Sequence, residues 1–237
     1  MGTTELETKT LVLLAGGKAS RLNEFLNTDS QIKCLVRFGD VVFIDLLLRQ
    51  ACEAGIEHVI LLAGPARESI KAHLANGDYN MQFSFPDEET RLGTGGALSL
   101  IAPFVKESRF ILSNADTFFA ENPFQTIQRV SKNQKAVFLV SPKENHEKSG
   151  FLANSQTSQW QDLYNTPGYC YAGVAMLSSD LVLKWQSLNL PETCSFERDV
   201  FPKIKNDVKF YKCDFSEIDF GTAEGFRRLQ TLLREVV

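Results

Sequence analysis

The stretch "LVLLAGGKASRLNEF", residues 11–25, decides how this chain is to be read. Leu11 to Ala15 are apolar without alternation, and Thr10 extends the run on its amino side, the pattern of a strand buried on both faces. Gly16 and Gly17 break the run, and Lys18, Ala19, Ser20 and Arg21 follow. A strand that opens through glycines into a helix turns its backbone N–H groups toward one point, where an anion is favoured. The spacing is neither G-x-G-x-x-G nor G-x-x-x-x-G-K-[ST], so the dinucleotide fingerprint and the P-loop both fail. On these residues alone two readings stand: a phosphate cradle with Lys18 and Arg21 as its cations, or a tight turn carrying two solvated cations.

Working outward, "HVILLAG" (58–64), "RFILSN" (109–114) and "KAVFLVS" (135–141) repeat the apolar run, and "MQFSF" (81–85) alternates. Between them lie helical patterns: residues 41–54 ending at Gly55, residues 65–77 with Pro65 near the start and Gly77 past the end, and "PFQTIQRVSKN". Alternating β and α with wholly apolar strands predicts an α/β fold, a Rossmann-like, mainly parallel sheet flanked by helices. Ligands in such sheets sit beyond the carboxyl ends of the strands. That rule gathers the loops at 16–22, 64–67 and 113–117, Gly64 among them, on one rim.

From about residue 145 the texture changes, with strand-like pieces at 149–164 and 169–176 and a helix at 179–187. "SFERDVFPKI" reads as a short helix capped by Ser195, with Arg198 and Asp199 exposed. "TAEGFRRLQTLLREV" closes the chain as a helix with Phe226, Leu229, Leu232 and Leu233 on one stripe. No Pro/Gly/Ser-rich linker separates the halves. The chain therefore reads as one domain over 1–237: a core at 8–144, a substrate-facing subdomain at 145–215, and 216–237 as the closing segment.

Bulk composition narrows the function classes. The chain has 237 residues, long enough to bury a sizeable core, and a formal charge of −4, against the basic excess of a general nucleic-acid or membrane-surface binder. Five scattered cysteines never form C-x-x-C, which argues against a disulfide framework or zinc site and for a reducing compartment. The polar start "MGTTELETKT" and the short apolar run behind it predict neither signal nor membrane segment, hence a cytoplasmic protein.

Two carboxylates stand out. Asp116 follows the apolar strand of "FILSNADTFF", beside Asn114, and Asp219 precedes Gly221 in "SEIDFGTAEGF". Each alone reads as a turn-capping aspartate. Together they suit Mg²⁺, which takes one or two protein carboxylates plus substrate oxygens. In "RLGTGGALSL", Gly93, Gly95 and Gly96 permit close approach of a flat ligand or phosphate, or simply form a turn. His58, His73 and His146 show no ligand spacing, and Cys34 has no histidine placed to make it a nucleophile.

These pieces, in this order, resemble the sugar-1-phosphate nucleotidyltransferases, and within them the short bacterial guanylyltransferases acting on D-glycero-D-manno-heptose 1-phosphate or mannose 1-phosphate. "LLAGGKASRL" (Leu14, Ala15, Gly16, Gly17, Lys18, Ser20, Arg21) resembles the signature loop, whose arginine, here Arg21, binds the triphosphate. "QIKCLVRFGD" falls where the family has Pro-Lys-Pro, matching Lys33 to its phosphate-binding lysine. "DEETRLGTGGAL", with Gly93, Thr94, Gly95 and Gly96, resembles the base-binding loop; Asp116 and Asp219 match the metal aspartates. "AGVAML" around Gly173 and "CSFERDVFPKI" with Glu197 resemble sugar-facing segments, and Gly150 and Asp219 fall in the sugar-binding set. The resemblance implies Mg²⁺ as cofactor, a nucleoside triphosphate and a sugar 1-phosphate as substrates, no nucleic-acid or membrane partner, and a homodimer. It assigns Arg21, Lys33 and Asp116 to catalysis and residues 145–215 to sugar binding.

The departures are specific. Ala19-Ser20 replaces Gly-Thr in the loop, and Ala19 is expected to narrow the room for phosphate. Ile32 and Cys34 replace both prolines beside Lys33, which is then presented less rigidly; Ala115 replaces a common glycine. "WQDLYNTPGY" lacks the lysine that binds the sugar phosphate, with Lys143 and Lys148 as substitutes or solvated residues. The reaction implied is attack of a sugar-1-phosphate oxygen on the α-phosphorus of GTP, giving a GDP-sugar for cell-surface polysaccharide and pyrophosphate. Two alternatives stand beside it: the same fold using UTP, dTTP or CTP, and a weakly active regulatory homologue that binds sugar nucleotide.

Overall fold

The computed structural model describes residues 8–17, 19, 22, 24–25, 32–131, 134–142, 152–153, 160–161, 169–213 and 217–236. The opening run forms β1 (Thr10–Leu14), and it lies at the centre of the sheet, between β4 (His58–Leu62) and β6 (Arg109–Asn114), both parallel to it. β5 (Gln82–Ser84) adds in parallel beyond β4. On the other side β11 (Tyr169–Ser178) runs antiparallel to β6, and β8 (Ala136–Pro142) and β12 (Val208–Lys212), parallel to one another, follow it. The sheet is therefore mainly parallel, with β11 reversed. β9 (Leu152–Ala153) and β10 (Trp160–Gln161) are antiparallel additions at the amino end of β11.

Alternate residues of the central strands feed two cores, one on each face, because successive side chains of a strand point to opposite sides. Leu11, Leu13, Val59, Leu61 and Ile111 join one; Val12, Ile60, Phe110 and Leu112 join the other. Both faces are covered, which is why these strands are apolar throughout. The helices α1 (Phe43–Glu53), α2 (Arg67–Leu74), α3 (Pro123–Val130) and α4 (Ala223–Val236) supply buried stripes to the first of these cores. In α4, Phe226, Leu229 and Leu233 are buried and Leu232 packs beside them.

Two local differences from the sequence reading have physical causes. The helix expected at 41–54 starts at Phe43, because β3 (Val41–Val42) pairs with β2 (Arg37–Phe38) as a hairpin turning at Gly39. Asp199, expected to be exposed, is half-buried: its carboxylate accepts the Ser195 amide at 2.7 Å while Ser195 Oγ accepts the Arg198 amide at 3.3 Å, a reciprocal cap. Phe38, Phe43, Phe220 and Phe226 pack together with ring centroids 4.2–6.4 Å apart, seating the segment that carries Asp219. Among the described residues no helix is long and apolar enough to cross a membrane.

Candidate functional site

At the carboxyl ends of β1, β4 and β6 the sheet opens into a cleft of about 270 Å³. Leu14, Gly16 and Gly17 form its floor; Leu62, Gly64 and Pro65 come from the end of β4 and the turn beyond it. Glu88, Arg91, Gly93, Thr94 and Ala97 line a further side, and Asn114, Asp116 and Glu197 complete it. β1 reaches this rim because Ala15 N bonds Leu62 O at 2.9 Å and Leu14 O accepts Ala115 N at 3.4 Å. These bonds continue the parallel ladders past the strand ends. Ala15 is thereby buried and is not part of the cleft lining.

Lys33 and Asp116 meet where Asp116 borders the cleft. Lys33 Nζ donates to Asp116 Oδ2 at 2.6 Å, with the two side chains 16% and 27% exposed. Lys33 opens a 3₁₀ turn, Lys33–Leu35, in which the Leu35 amide bonds Ile32 O and the Val36 amide bonds Lys33 O. Cys34 is buried beneath it. Hydrogen bonding and burial thus hold the segment that has lost its prolines. Burial pushes the Cys34 thiol up to about 12, so it stays protonated at neutral pH and unfit as a nucleophile.

Asp219 joins this pair although 103 residues separate it from Asp116. β7 (Thr117–Phe119) and β13 (Glu217–Asp219) form a two-stranded antiparallel ribbon whose register sets Asp219 opposite Thr117, the neighbour of Asp116. Asp219 Oδ1 accepts the Gly221 amide at 2.8 Å. A Cβ on Gly221 would lie 2.6 Å from Lys33 Nζ and 2.9 Å from Asp219 Oδ1, so one small space is shared by the ammonium and this carboxylate. Helix α4 packs directly on Asp219: a Cβ on Gly225 would come within 1.9 Å of its carbonyl oxygen. Among the described residues no cluster of three or more His, Cys, Asp or Glu side chains suits a metal. Two hard carboxylates, offset by a lysine, fit a cation that completes its shell with substrate oxygens.

Other expected residues fall differently. Gly173 has φ +85 within an irregular stretch of the β11–β8 ladder, and a Cβ there would lie 3.0 Å from Asn114 Nδ2. It packs behind Asn114. Gly95 and Gly96 are buried behind the cleft rather than lining it. The Gly95 and Gly96 amides both point to Cys194 O, at 2.8 and 3.3 Å, so these two N–H groups are already engaged. Ala19, expected to narrow the loop, is fully buried in the hydrophobic core and its methyl is not among the cleft atoms. Lys18, Ser20, Arg21, Gly150, Lys143 and Lys148 lie outside the described residues.

Sequence reasoning passed over Glu88 and Arg91, though both sit in the quoted glycine-rich stretch. Glu88 Oε1 accepts the Leu92 amide at 2.9 Å, four residues on, and Oε2 stands 3.1 Å from where a Gly64 Cβ would be. The signal was a carboxylate one turn before the Leu-Gly-Thr-Gly-Gly run. Deeper, the Tyr171 hydroxyl is buried, and burial followed by the charge of Glu197 raises its phenol well above the ordinary value.

A cleft at the carboxyl rim of this sheet, with a paired Lys–Asp and a second aspartate joined to it, belongs to one class. The nucleotidyl transferase family model matches residues 10–234, and the chain is a member of that family. It is 24% identical over 232 residues to D-glycero-alpha-D-manno-heptose 1-phosphate guanylyltransferase of Aneurinibacillus thermoaerophilus, covering 95% of this chain and 99% of that one. It is 25% identical to mannose-1-phosphate guanylyltransferase of Mycobacterium tuberculosis over 92% of this chain and 62% of that protein. HddC from Yersinia pseudotuberculosis, complexed with GMP-PN, superposes with a TM-score of 0.80 at 22% identity, over 95% of this chain and 100% of that one. The fold is that of the nucleotide-diphospho-sugar transferases.

Proposed function

We propose that this chain transfers a guanylyl group from GTP to a sugar 1-phosphate, D-glycero-D-manno-heptose 1-phosphate or mannose 1-phosphate, releasing pyrophosphate. The observation that carries the reading is the meeting of Lys33, Asp116 and Asp219 at one end of the cleft, with the Glu88 carboxylate in the same cleft. A phosphate oxygen of the sugar 1-phosphate attacks the α-phosphorus; an O–P bond forms and the bond to the β-phosphate oxygen breaks, its electron pair leaving with pyrophosphate. That nucleophile is already anionic at neutral pH, so the step needs no general base. The task is to hold two polyanions in line and offset their repulsion. Asp116 and Asp219 would hold Mg²⁺, which when bound supplies the charge that brings the phosphates together. Lys33 adds a second cation beside Asp116, and Arg21 is assigned to the triphosphate.

The base is assigned to the Glu88 end. Guanine presents N1–H and N2–H₂ on one edge, and a carboxylate, acceptor-only, can take both. Uracil and thymine offer one such donor. Glu88 is oriented for the purpose by the Leu92 amide on one oxygen. Glu197 is assigned to sugar hydroxyls, with residues 145–215 as the sugar-facing part of a single cytoplasmic catalytic unit. A pyrophosphate-release assay with GTP, UTP, dTTP and CTP against both sugar phosphates tests the proposal. Release with GTP and either sugar supports it; release only with another base reassigns the nucleotide, and no release with any pair leaves the sugar-nucleotide-binding homologue.

A further inference from the structure

The run Gly93-Thr94-Gly95-Gly96 faces the cleft only with its first half; its second half grips another segment. Cys194 N bonds Leu92 O at 2.9 Å, and Cys194 O accepts the amides of Gly95 and Gly96. Thr193 Oγ1 donates to Arg91 O at 3.3 Å, and the Phe196 amide donates to Thr94 Oγ1 at 2.9 Å. The two backbones are so close that no side chain fits between them. A Cβ on Gly95 would stand 2.8 Å from Ser195 C, and one on Gly96 would stand 2.2 Å from Glu192 O. Real Cβ atoms do not approach backbone so closely. These glycines are small for the sake of residues 192–196.

The gripped segment leads straight to the cleft. Beyond Phe196 the chain makes a wide π-type turn over Phe196–Val200, in which Val200 N reaches Ser195 O at 3.3 Å. Such turns re-aim side chains and concentrate at functional sites. Here Glu197 faces the cleft, and Ser195 Oγ donates to its Oε2 at 3.0 Å. Thr94 is the one side chain of the glycine run that bonds the gripped backbone, and it does so one residue before Glu197.

We propose that Thr94 is a positioning residue for Glu197: by accepting the Phe196 amide it sets the turn that holds the Glu197 carboxylate where it accepts a hydroxyl of the sugar phosphate. The glycine-rich loop then serves both substrates, with the nucleotide on its cleft side and the sugar-binding carboxylate through its back. This rests on the guanylyltransferase reading above. Loss of the Thr94 hydroxyl leaves the Phe196 amide without its acceptor and lets Glu197 drift, a change felt more by the sugar phosphate than by GTP.

Steady-state kinetics on the full chain, with GTP and the sugar 1-phosphate varied separately, tests it. Thr94→Val, which keeps the shape and loses the acceptor, raises KM for the sugar phosphate about tenfold, several times more than it raises KM for GTP. Thr94→Ser restores both. Ser195→Ala, which removes the donor to Glu197, raises the same sugar KM about threefold and carries the test if Thr94→Val fails to fold. A rise in KM for GTP equal to or larger than that for the sugar phosphate would show Thr94 to touch the nucleotide and overturns the inference, as does an unchanged sugar KM in either variant. Both results leave the guanylyltransferase reading standing. A wild-type chain that releases no pyrophosphate overturns that reading and this inference together.

Discussion

At the Lys33–Asp116–Asp219 end of the cleft the contacts run between charged side chains, brought together from three distant points of the chain. At the 91–96 and 192–197 side they run between backbone atoms and two threonine hydroxyls. The first arrangement can change charge where charge develops during transfer, and the second can only fix shape. Substitutions at the first should therefore lower the rate of the chemical step, whereas those at the second should alter which substrate is held and how well.

The largest effect is expected from Asp116→Asn, which keeps the shape of the side chain and removes the negative charge proposed to hold the cation. Turnover should fall by roughly 10³-fold or more while the melting temperature moves by only a few degrees. Lys33→Met comes next, with kcat/KM down about 10²-fold, because Asp116 loses the ammonium that offsets it. Retention of most activity in either variant would break the comparison at its charged end.

Glu88→Gln is smaller and changes sign with the base. Its amide offers one acceptor and one donor, so kcat/KM for GTP should drop about 10–10²-fold while xanthosine triphosphate, with an oxygen in place of the 2-amino group, improves. Equal losses for both nucleotides would move base reading away from Glu88. The smallest effect is expected from Ala19→Gly, which restores the residue usual in the family. Since the Ala19 methyl lies in the core, KM for GTP should change less than about threefold, with a stability loss of roughly 0.5–1 kcal/mol in denaturant melts. A large gain in GTP affinity would mean that the methyl does press on the phosphates.

Much of this was legible along the chain. The unbroken apolar run at 11–15 and its repeats declared a sheet buried on both faces, and Asp116 at the end of β6 fell on the rim that such sheets use. What was hidden depends on direction and on distant pairing. The approach of Asp219 to Asp116 is made by the β7–β13 ribbon, whose two short strands lie a hundred residues apart and carry no pattern tying one to the other. Gly95 and Gly96 advertise space without saying what fills it, and the answer, the backbone of 192–195, is equally remote. Ala19 and Asp199 were misjudged because burial is set by tertiary neighbours: the first turns into the core, and the second folds back on the Ser195 amide.

The most direct test is a double-mutant cycle of Asp116→Asn and Asp219→Asn, read as Mg²⁺-dependent pyrophosphate release from GTP and sugar 1-phosphate. If both carboxylates hold one cation, either change removes most of its effect and the double variant is scarcely slower than the slower single one. Losses that multiply in the double variant would show two independent roles and contradict the single charged centre on which the account rests.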